Sequence, residues 1–503
     1  MLAWTIYISF FGAVAQLLLP KRSVAAARWL ALATAAAGFA TTVVAFTRHP
    51  TGELQTIARV AWIPSLGIEY HLAADGISLV LVLLTGIIAI AGILFSWDIE
   101  ERTTQFFALY LLLIGAVYGV FLSYDLFLLF VFYEIVIIPK YFLIAIWGST
   151  RREYGAMKLA LYSFVGSAMV LVGLIAAFVA AGSKSMALDE VAQHAFSLHF
   201  QMAAFPLVFV GFAVLAGMWP LHTWAPTGHV AAPTAASMLL AGVVMKLGAY
   251  GCLRVAMTLF PLGLGPWGFH VLGLGSWRDV FALLAVVGIV YGAMVALVQK
   301  DFKFVIGYSS VSHMGFILLG LMTLNQIGIS GAVLQMFSHG VIAGLLFAVV
   351  GRMVYARTHT RDLLQLSDMN LNKAMPFAAT TFVIAGMASM GLPGFSGFVA
   401  ELMIVIGVWR SYPLLAVLVG LGIVVGVAFI WRAMQRAFFR EPGIAPAPKP
   451  AAMPGISLAE RVGAVLLIAA SVLVGLYPQL LLRLIEPALN SPLFAGLRGG
   501  SWR

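Results

Sequence analysis

The chain alternates long apolar segments with short polar ones along its whole length. A helix that crosses a bilayer needs about 20 predominantly apolar residues, and segments of that length recur throughout. They lie near residues 1–20, 26–47, 77–97, 105–123, 125–147, 157–181, 202–219, 235–257, 279–298, 302–322, 328–355, 375–410, 413–435 and 461–485. The pattern predicts an all-α polytopic membrane protein with about 14 transmembrane helices.

Two apolar segments carry residues that interrupt a helix. One reads GMWPLHTWAPTGHVAAP (217–233) and contains three prolines; the other reads GLPGFSGF (391–398). Proline removes a backbone donor and clashes with the preceding turn, so we expect discontinuous helices near 220–233 and 391–397. Ordinary proline kinks are the simpler alternative. Because ionisable residues adjoin both interruptions, we favour a functional break of the kind found in transporters.

Composition supports the membrane assignment. Hydrophobic residues make up 62% of the chain, charged residues only 10%, and the mean hydropathy is +1.01. A soluble domain carries roughly 25% charged residues, so a soluble enzyme is excluded. The net charge of +10 is not a nucleic-acid signature, because the basic residues recur between apolar segments instead of clustering. The single cysteine, Cys252, excludes an internal disulfide and a cysteine-ligated cluster.

The distribution of Lys and Arg predicts the orientation. If the N-terminus lies outside the cytoplasm, most of the 29 basic residues fall on the cytoplasmic side, so both termini are predicted to be periplasmic. Residues 1–19 lack a basic leader and a cleavage site, and we interpret them as a retained first helix. The Pro-rich stretch 441–457 is predicted to be an extended, exposed linker.

A small set of ionisable residues falls inside the predicted spans. Charges in hydrocarbon are costly and usually mark ion pathways, although a lone buried histidine is more often a core residue. Because the carboxylates are dispersed, the set suits proton transfer better than metal-ion binding. His222 and His229 flank the first interruption without a metal-ligand spacing, and no opposed histidine pair suggests haem. The residues in the set are Glu134, Lys140, Lys246, His313, His339 and Glu401.

Six stretches carry a specific resemblance. They are YEIVIIPKYFLIAIWGSTRREYGAMKLALY (133–162), PLHTWAPTGHVAAPTAASMLLAGVVMKLGAYG (220–251), QKDFKFVIGYSSVSHMGFILLGL (299–321), GAVLQMFSHG (331–340), RTHTRDL (357–363) and GLPGFSGFVAEL (391–402). The chain resembles the antiporter-like subunits of bacterial respiratory complex I, NADH–quinone oxidoreductase, and among them the subunit M type. The matching stretches cover most of residues 100–410; the two ends are only generically similar.

The resemblance implies a fold and a function. It implies two inverted five-helix repeats, about 105–257 and 279–435, preceded by N-terminal helices (1–104) and followed by a linker and a C-terminal helix (436–503). It implies a proton-translocating, non-redox subunit in the bacterial inner membrane. We then expect no cofactor in this chain, with FMN, iron–sulfur clusters and quinone in other subunits. The expected partners are the lipid bilayer and other membrane subunits, including neighbouring antiporter-like ones, and no nucleic acid.

The same resemblance assigns roles to residues. Glu134 is similar to a carboxylate that modulates a neighbouring lysine, and Lys246 to the central lysine of the family. His313 and His339 are similar to the histidines that link this lysine to the exit side. Glu401 is similar to the last residue of the family's proton path. Secondary candidates are Lys140, His222 and Lys303.

One position departs from the family pattern. The family places a lysine on the helix before the first break, where this chain has Leu215, and residues 202–233 contain no lysine. Thr227 and Ala231 also stand where acidic residues are common. Glu134 therefore sits protonated, pairs differently or is hydrated. Lys140 lies six residues on, about 240° away on an ideal helix, which argues against a direct bond and leaves His222 as the other partner.

Three alternative functions remain at this stage. A subunit of a multi-subunit cation/proton antiporter and a membrane partner of an inorganic-carbon uptake complex would share the fold. A structural subunit that has lost pumping is raised by Leu215. The wording of the motifs and Glu401 favour the complex I branch.

Overall fold

The computed structural model describes residues 1–20, 23–48, 51–271, 273–439 and 453–498, apart from the side chains of 268–271. Most described residues lie in helices. These are α1 Ala3–Leu18, α2 Val24–Arg48, α3 Gly76–Leu94, α4 Thr103–Leu122, α5 Leu126–Trp147, α6 Arg152–Ala181, α7 Leu198–Ala216, α8 Trp224–Ala231, α9 Thr234–Leu259, α10 Trp277–Val298, α11 Phe302–Met322, α12 Gln326–Thr358, α13 Pro376–Ser389, α14 Ser396–Ser411, α15 Pro413–Phe438, α16 Leu458–Leu476 and α17 Gln479–Leu489.

Within the described residues, twelve helices are long and apolar enough to span a bilayer, or thirteen if one bent pair near the C-terminus counts as a span. The predicted number of about 14 is therefore not confirmed. Helix α1 has only 16 residues, and the predicted span 375–410 consists of two shorter helices, α13 and α14. The predicted span 461–485 also needs correction, because α16 ends at Leu476 just before Pro478.

The C-terminal helix α17 has one buried and one exposed face. Its leucines and Ile485 are buried against the body, and the backbone of Leu484 lies against Gly52 and Gly76. This one-sided burial is typical of a helix that lies along a membrane surface instead of crossing it. The apolar residues that suggested a longer span therefore belong to two differently oriented helices.

Two short β-hairpins qualify the all-α prediction. Strands β1 (Gln55–Ile63) and β2 (Ile68–Ala74) pair antiparallel, and β3 (Pro266–Val271) pairs with β4 (Leu274–Ser276). The segment TIARVAWI carries β-branched and aromatic residues at a strand-like spacing, and β2 packs its last residues into the body. Both hairpins lie between membrane helices, so the membrane region itself is helical.

Both predicted helix interruptions are present. The chain leaves α7 at Gly217, which has a φ of +77°, passes through a short helix, α8, and resumes as α9 after Pro233. The second interruption separates α13 from α14. Whether 105–257 and 279–435 are inverted repeats stays a prediction. Residues 440–452, most of the predicted linker, lie outside the described part of the chain.

Helices α9 and α12 form the fully buried centre. They approach closely where glycines face each other: a Cβ built on Gly340 would lie 2.6 Å from the carbonyl oxygen of Gly242, and one on Gly242 would lie 3.3 Å from that of Gly340. No larger residue fits without moving the backbones apart. This contact brings Lys246, one turn after Gly242 on α9, within reach of His339, the residue before Gly340 on α12.

A buried ion pair ties one end of α9 to α3. The Nη2 atom of Arg254 lies 2.6 Å from both carboxylate oxygens of Asp75, and both side chains are 2% exposed. Asp75 also caps α3 by accepting from the backbone nitrogen of Ser78. Leaving one of these charges alone would cost several kcal/mol, so the pair fixes the position of α9.

Candidate functional site

Lys246 lies in the middle of α9 and is completely buried. Its Nζ donates to the carbonyl oxygen of Ala241 and lies 2.8 Å from Nδ1 of His339 on α12. Helix α9 has wide, π-helical turns on both sides of this lysine, at Leu240–Val244 and Cys252–Ala256. Such turns are frequent at functional sites. No carboxylate pairs with Lys246 among the described residues, so its charge depends on these two contacts.

His339 passes the contact on to a second histidine. Its ring stacks on that of His313 on α11, with ring centres 5.2 Å apart and planes 7° from parallel. The Nε2 atom of His339 is buried and has no hydrogen-bond partner within the described structure. A buried ring nitrogen without a partner is costly. It is therefore open to a water molecule or to a change of tautomer.

His313 is surrounded by hydrogen-bond acceptors. Its Nδ1 lies 2.8 Å from the carbonyl oxygen of Ser309, so this nitrogen carries a proton and donates. Its Nε2 lies 3.3 Å from the carbonyl oxygen of Ser389 and 3.5 Å from Oε1 of Glu401. Ser389 is the last residue of α13, where the second break frees backbone carbonyls. A second proton on His313 would thus satisfy acceptors that are already in place.

Glu401 lies beside His313 at the second helix break. Its Oε1 accepts from Nε2 of Gln335 at 3.3 Å, and both residues are buried. Gly391, with a φ of +71°, makes room for the carboxylate: a Cβ there would lie 2.9 Å from Oε2 of Glu401. A cavity of about 20 Å³ adjoins His313 and Glu401 and is lined on one side by Gly422 of α15. That volume is enough for about one water molecule.

Lys246, His339, His313 and Glu401 therefore form one continuous series, which we call the polar file. Each member is on a different helix: α9, α12, α11 and α14. The structure thus brings together four of the five principal candidates. The fifth, Glu134, lies elsewhere.

A histidine that sequence reasoning set aside lies beside the polar file. His229, on α8, is completely buried, and neither ring nitrogen has a hydrogen-bond partner in the described structure. The charges of both Lys246 and Lys303 are close enough to act on it. From the sequence, His229 was considered only as a metal ligand, on the basis of its spacing from His222. Its position inside the first broken segment was the available signal.

Lys303 closes the end of α8. Its buried Nζ donates to the carbonyl oxygens of Ala232 at 2.6 Å and Val230 at 3.3 Å, and Arg361 donates to Val230 at 3.1 Å. Cations at a helix C-terminus satisfy its free carbonyls and its dipole. Lys303 also lines a cleft of about 240 Å³ at the end of the molecule where Arg352 lies. This cleft gives solvent access to Lys303.

Glu134 and Lys140 occupy a separate region. Helix α5 has an irregular turn at Val136, because Pro139 cannot donate to the carbonyl oxygen of Ile135. Oε1 of Glu134 is buried without a hydrogen-bond partner in the described structure. Lys140 is 1% exposed and donates to Oγ of Ser163 at 2.9 Å. The absence of a direct Glu134–Lys140 bond agrees with the helical-phase argument.

His222 packs against an aromatic side chain. Both of its ring nitrogens lack hydrogen-bond partners among the described residues, and its ring packs edge-on against Tyr291 on α10, with centres 5.2 Å apart. Leu215 is buried near the end of α7. The structure records no hydrogen bond between His222 and Glu134 among the described residues, so that partnership stays a prediction. No group of three or more potential metal ligands occurs in the described part of the chain.

Comparisons with known proteins match most of the chain. The family model described as NADH:quinone oxidoreductase/Mrp antiporter, transmembrane, matches residues 123–426. NAD(P)H-quinone oxidoreductase chain 4 1 of Synechococcus elongatus is 38% identical over 431 residues, covering 84% of this chain and 78% of the relative. NADH-quinone oxidoreductase subunit M of Rhodobacter capsulatus is 34% identical and covers 92% of this chain and 90% of its own length.

Solved structures agree on the fold. A chain of respiratory complex I from Thermus thermophilus with bound NADH is 27% identical, with a TM-score of 0.87 over 99% of this chain and all of the other. A chain of the Mrp complex from Dietzia sp. matches with a TM-score of 0.83 over 99% of both chains, but at 20% identity. The second likeness is one of fold alone.

Proposed function

We propose, from the premise that this chain belongs to the NADH:quinone oxidoreductase/Mrp antiporter family, that it is a proton-translocating membrane subunit of a respiratory complex I. One observation carries the proposal. A titratable amine, two imidazoles and a carboxyl group follow one another across four buried helices and end at a broken helix. The relatives with high coverage are quinone oxidoreductase subunits, which favours this function over a separate cation/proton antiporter.

The polar file supplies donors and acceptors in order. Lys246, when protonated, donates a proton to Nδ1 of His339. The protonated imidazole of His339 can then release the proton that its Nε2 carries. The stacked rings do not allow a direct nitrogen-to-nitrogen hydrogen bond, so the transfer to His313 needs a water molecule or a ring rotation. From His313, Nε2 delivers the proton to Oε1 of Glu401, which Gln335 orients.

Uptake is assigned to the end where Lys303 lies. The cleft of about 240 Å³ admits water to Lys303, and the charges of Lys303 and Lys246 both act on His229. The path would therefore run from Lys303 through His229 to Lys246, and then along the polar file. Glu401 would release the proton on the opposite side through the small cavity beside it. Positive-inside topology makes the Lys303 end cytoplasmic and both termini periplasmic, in a bacterial inner membrane.

Coupling is electrostatic in this scheme. A buried charge without an ion-pair partner responds strongly to charges that appear nearby, because the low-dielectric interior screens them poorly. Lys246 is such a group. Changes in neighbouring membrane subunits would shift its proton affinity, while electrons move through FMN, iron–sulfur clusters and quinone held by other subunits. This chain would take part in the enzyme as a non-redox subunit.

The test is Lys246→Ala in the complete complex, reconstituted in vesicles. We expect the number of protons pumped per electron to fall by this subunit's entire share, because the central station is lost. The amount of assembled complex should not change. Lys373→Ala, an exposed cation on the short helix Leu371–Ala374, is the matched control. An unchanged proton-to-electron ratio in Lys246→Ala would exclude the proposed function.

A further inference from the structure

We propose that Arg254, held by Asp75, is an insulating residue: it blocks a direct proton route from Lys246 to the side of the molecule opposite the Lys303 cleft. Protons that reach Lys246 can then leave only along the polar file. Arg254 itself carries none of the pumped protons. The inference rests on the proposed function, because such a barrier is needed only where Lys246 is loaded with protons.

Helix α9 connects the uptake cleft with a second cavity at its other end. Pro233 and Thr234, where α9 begins, line the cleft together with Lys303. Thr258, next to the last residue of α9, lines a cavity of about 480 Å³. Lys246 stands midway between the two, about 18 Å from each along an ideal helix. The helix that carries the central lysine therefore has an open space at each end.

The second cavity suits water. Asp189 and Tyr124 line it together with Thr258, and Oδ1 of Asp189 is buried without a hydrogen-bond partner in the described structure. A polar space of this size holds several water molecules, each of which takes about 30 Å³. A proton that reached this cavity would therefore meet groups that can accept it.

A stripe of polar side chains leads from the central lysine to this cavity. Lys246, Tyr250, Arg254 and Thr258 follow one another at every fourth position. Residues four apart are neighbours on a helix surface. A four-residue repeat drifts slowly around an α-helix, and the wide turn at Cys252–Ala256 counters that drift. Without a barrier, the stripe would offer protons a shorter way out than the polar file.

Arg254 interrupts the stripe chemically. A group that relays a proton must accept one proton and release another, but a guanidinium has no acceptor and stays protonated in proteins. Its Nη2 lies 2.6 Å from both carboxylate oxygens of Asp75. The carboxylate is also held by the backbone nitrogen of Ser78, at 2.9 Å. The pair thus places groups that do not pass a proton on between Lys246 and Thr258.

Aromatic rings pack against the guanidinium and keep it from water. Its central carbon lies 5.3 Å from the ring centre of Tyr250 and 5.5 Å from that of Phe494. Phe494 ends the short segment Pro492–Phe494, whose first two residues line the cavity. Arg254 is only 2% exposed and Phe494 only 1%. The barrier is therefore dry as well as unable to relay a proton.

The experiment uses the complete complex in vesicles without substrate and measures passive proton flux under an imposed membrane potential. Both test variants remove the two charges together, so that no lone buried charge is left. Arg254→Ser with Asp75→Asn leaves space for water and should raise the flux through the complex about tenfold, because a wet gap lowers the cost of moving a charge through the membrane interior.

Arg254→Met with Asp75→Asn is the matched control. It removes the same ion pair but fills the space with an apolar chain, so the flux should stay at the wild-type value. Adding Lys246→Met to the serine variant should abolish the increase, since the leak passes through Lys246.

Three results would overturn the inference: a wild-type flux in the serine variant, equal leaks in the serine and methionine variants, or a leak that persists without Lys246. Equal leaks would mean that loss of the ion pair loosens α9, and not that water enters the gap.

If the double variants do not assemble, Arg254→Lys keeps the ion pair but supplies an amine that can release its proton. It should raise the flux about threefold, and an unchanged flux there also overturns the inference. Failure of the proposed function is a separate outcome. It appears during turnover, as a normal proton-to-electron ratio in Lys246→Ala, whatever the passive flux shows.

Discussion

The two groups of buried ionisable residues differ in their connections. In the polar file, Lys246, His339, His313 and Glu401 contact one another in sequence. In the other region, Lys140 has a serine for a partner, and Oε1 of Glu134 has no hydrogen-bond partner in the described structure. The first group can pass a proton from one member to the next. The second can only change charge.

The difference arises from the helices that carry each group. The polar file lies beside the second break, where the carbonyl oxygen of Ser389 and the space at Gly391 are available to His313 and Glu401. Glu134 and Lys140 lie on one continuous helix. Two groups on one helix cannot surround a water-filled space between them. A conducting path thus needs side chains from several helices around an interruption.

The largest difference should come from removing the carboxylate in each region. We expect Glu401→Gln to reduce this subunit's share of proton pumping about tenfold or more, since a positioned proton acceptor contributes at least that much. Glu134→Gln should reduce this share only about twofold, because the substitution removes a nearby charge and not a residue that carries the proton. Proton-to-electron ratios of the two variants in vesicles provide the measurement.

Glutamine keeps the volume of both side chains, so the assembled amount of complex serves as the structural control. Equal losses in the two variants would show that Glu134 lies on the proton path. A larger loss in Glu134→Gln would reverse the roles assigned to the two regions.

The sequence predicted which residues stand in the membrane interior but not how they connect. Lys246, His313 and His339 were recognisable as ionisable groups within apolar segments. Their contacts depend on the separation of α9 and α12, which is set by the close approach of Gly242 and Gly340. The separation of two helices cannot be predicted from a single sequence. The series of contacts therefore required the structure.

Two features of the structure were foreshadowed by residues whose meaning was not recognised from the sequence. Pro139 predicts the irregular turn in α5, but Val136 keeps helical dihedral angles, so the helical-phase argument for Glu134 and Lys140 holds. His229 stood inside a recognised break, but it was considered only as a metal ligand. Its burial near Lys246 and Lys303 depends on the path of α8, which proline positions alone do not determine.

The second prediction compares the two histidines of the first broken segment. We expect His229→Phe to reduce this subunit's share of pumping about fivefold, since the charges of both Lys303 and Lys246 act on His229. His222→Phe should have little effect, because the ring of His222 packs against Tyr291 and makes no hydrogen bond in the described structure. Proton-to-electron ratios, together with the amount of assembled complex, distinguish the two variants. A loss confined to His222→Phe would move the uptake path to the Glu134 region.

The smallest expected effect comes from two glycine substitutions, which together distinguish backbone strain from displacement of the Glu401 carboxylate. Gly391 and Gly394 both have positive φ values, +71° and +100°, so alanine at either position should cost about 1–2 kcal/mol of stability. Only at Gly391 would the new Cβ meet a side chain, Oε2 of Glu401 at 2.9 Å; at Gly394 it would meet no atom within 4 Å. The carboxylate can move aside, but it then loses its distance to His313.

Gly391→Ala should therefore lower this subunit's share of the proton-to-electron ratio about twofold, whereas Gly394→Ala should lower only the melting temperature of the assembled complex. Comparable melting temperatures in the two variants would show that strain is matched, so that any difference in pumping reports the position of the carboxylate. If both variants pump normally despite the same strain, the polar file tolerates displacement of Glu401. Its last step would then depend on water in the adjoining cavity and not on the 3.5 Å contact with His313.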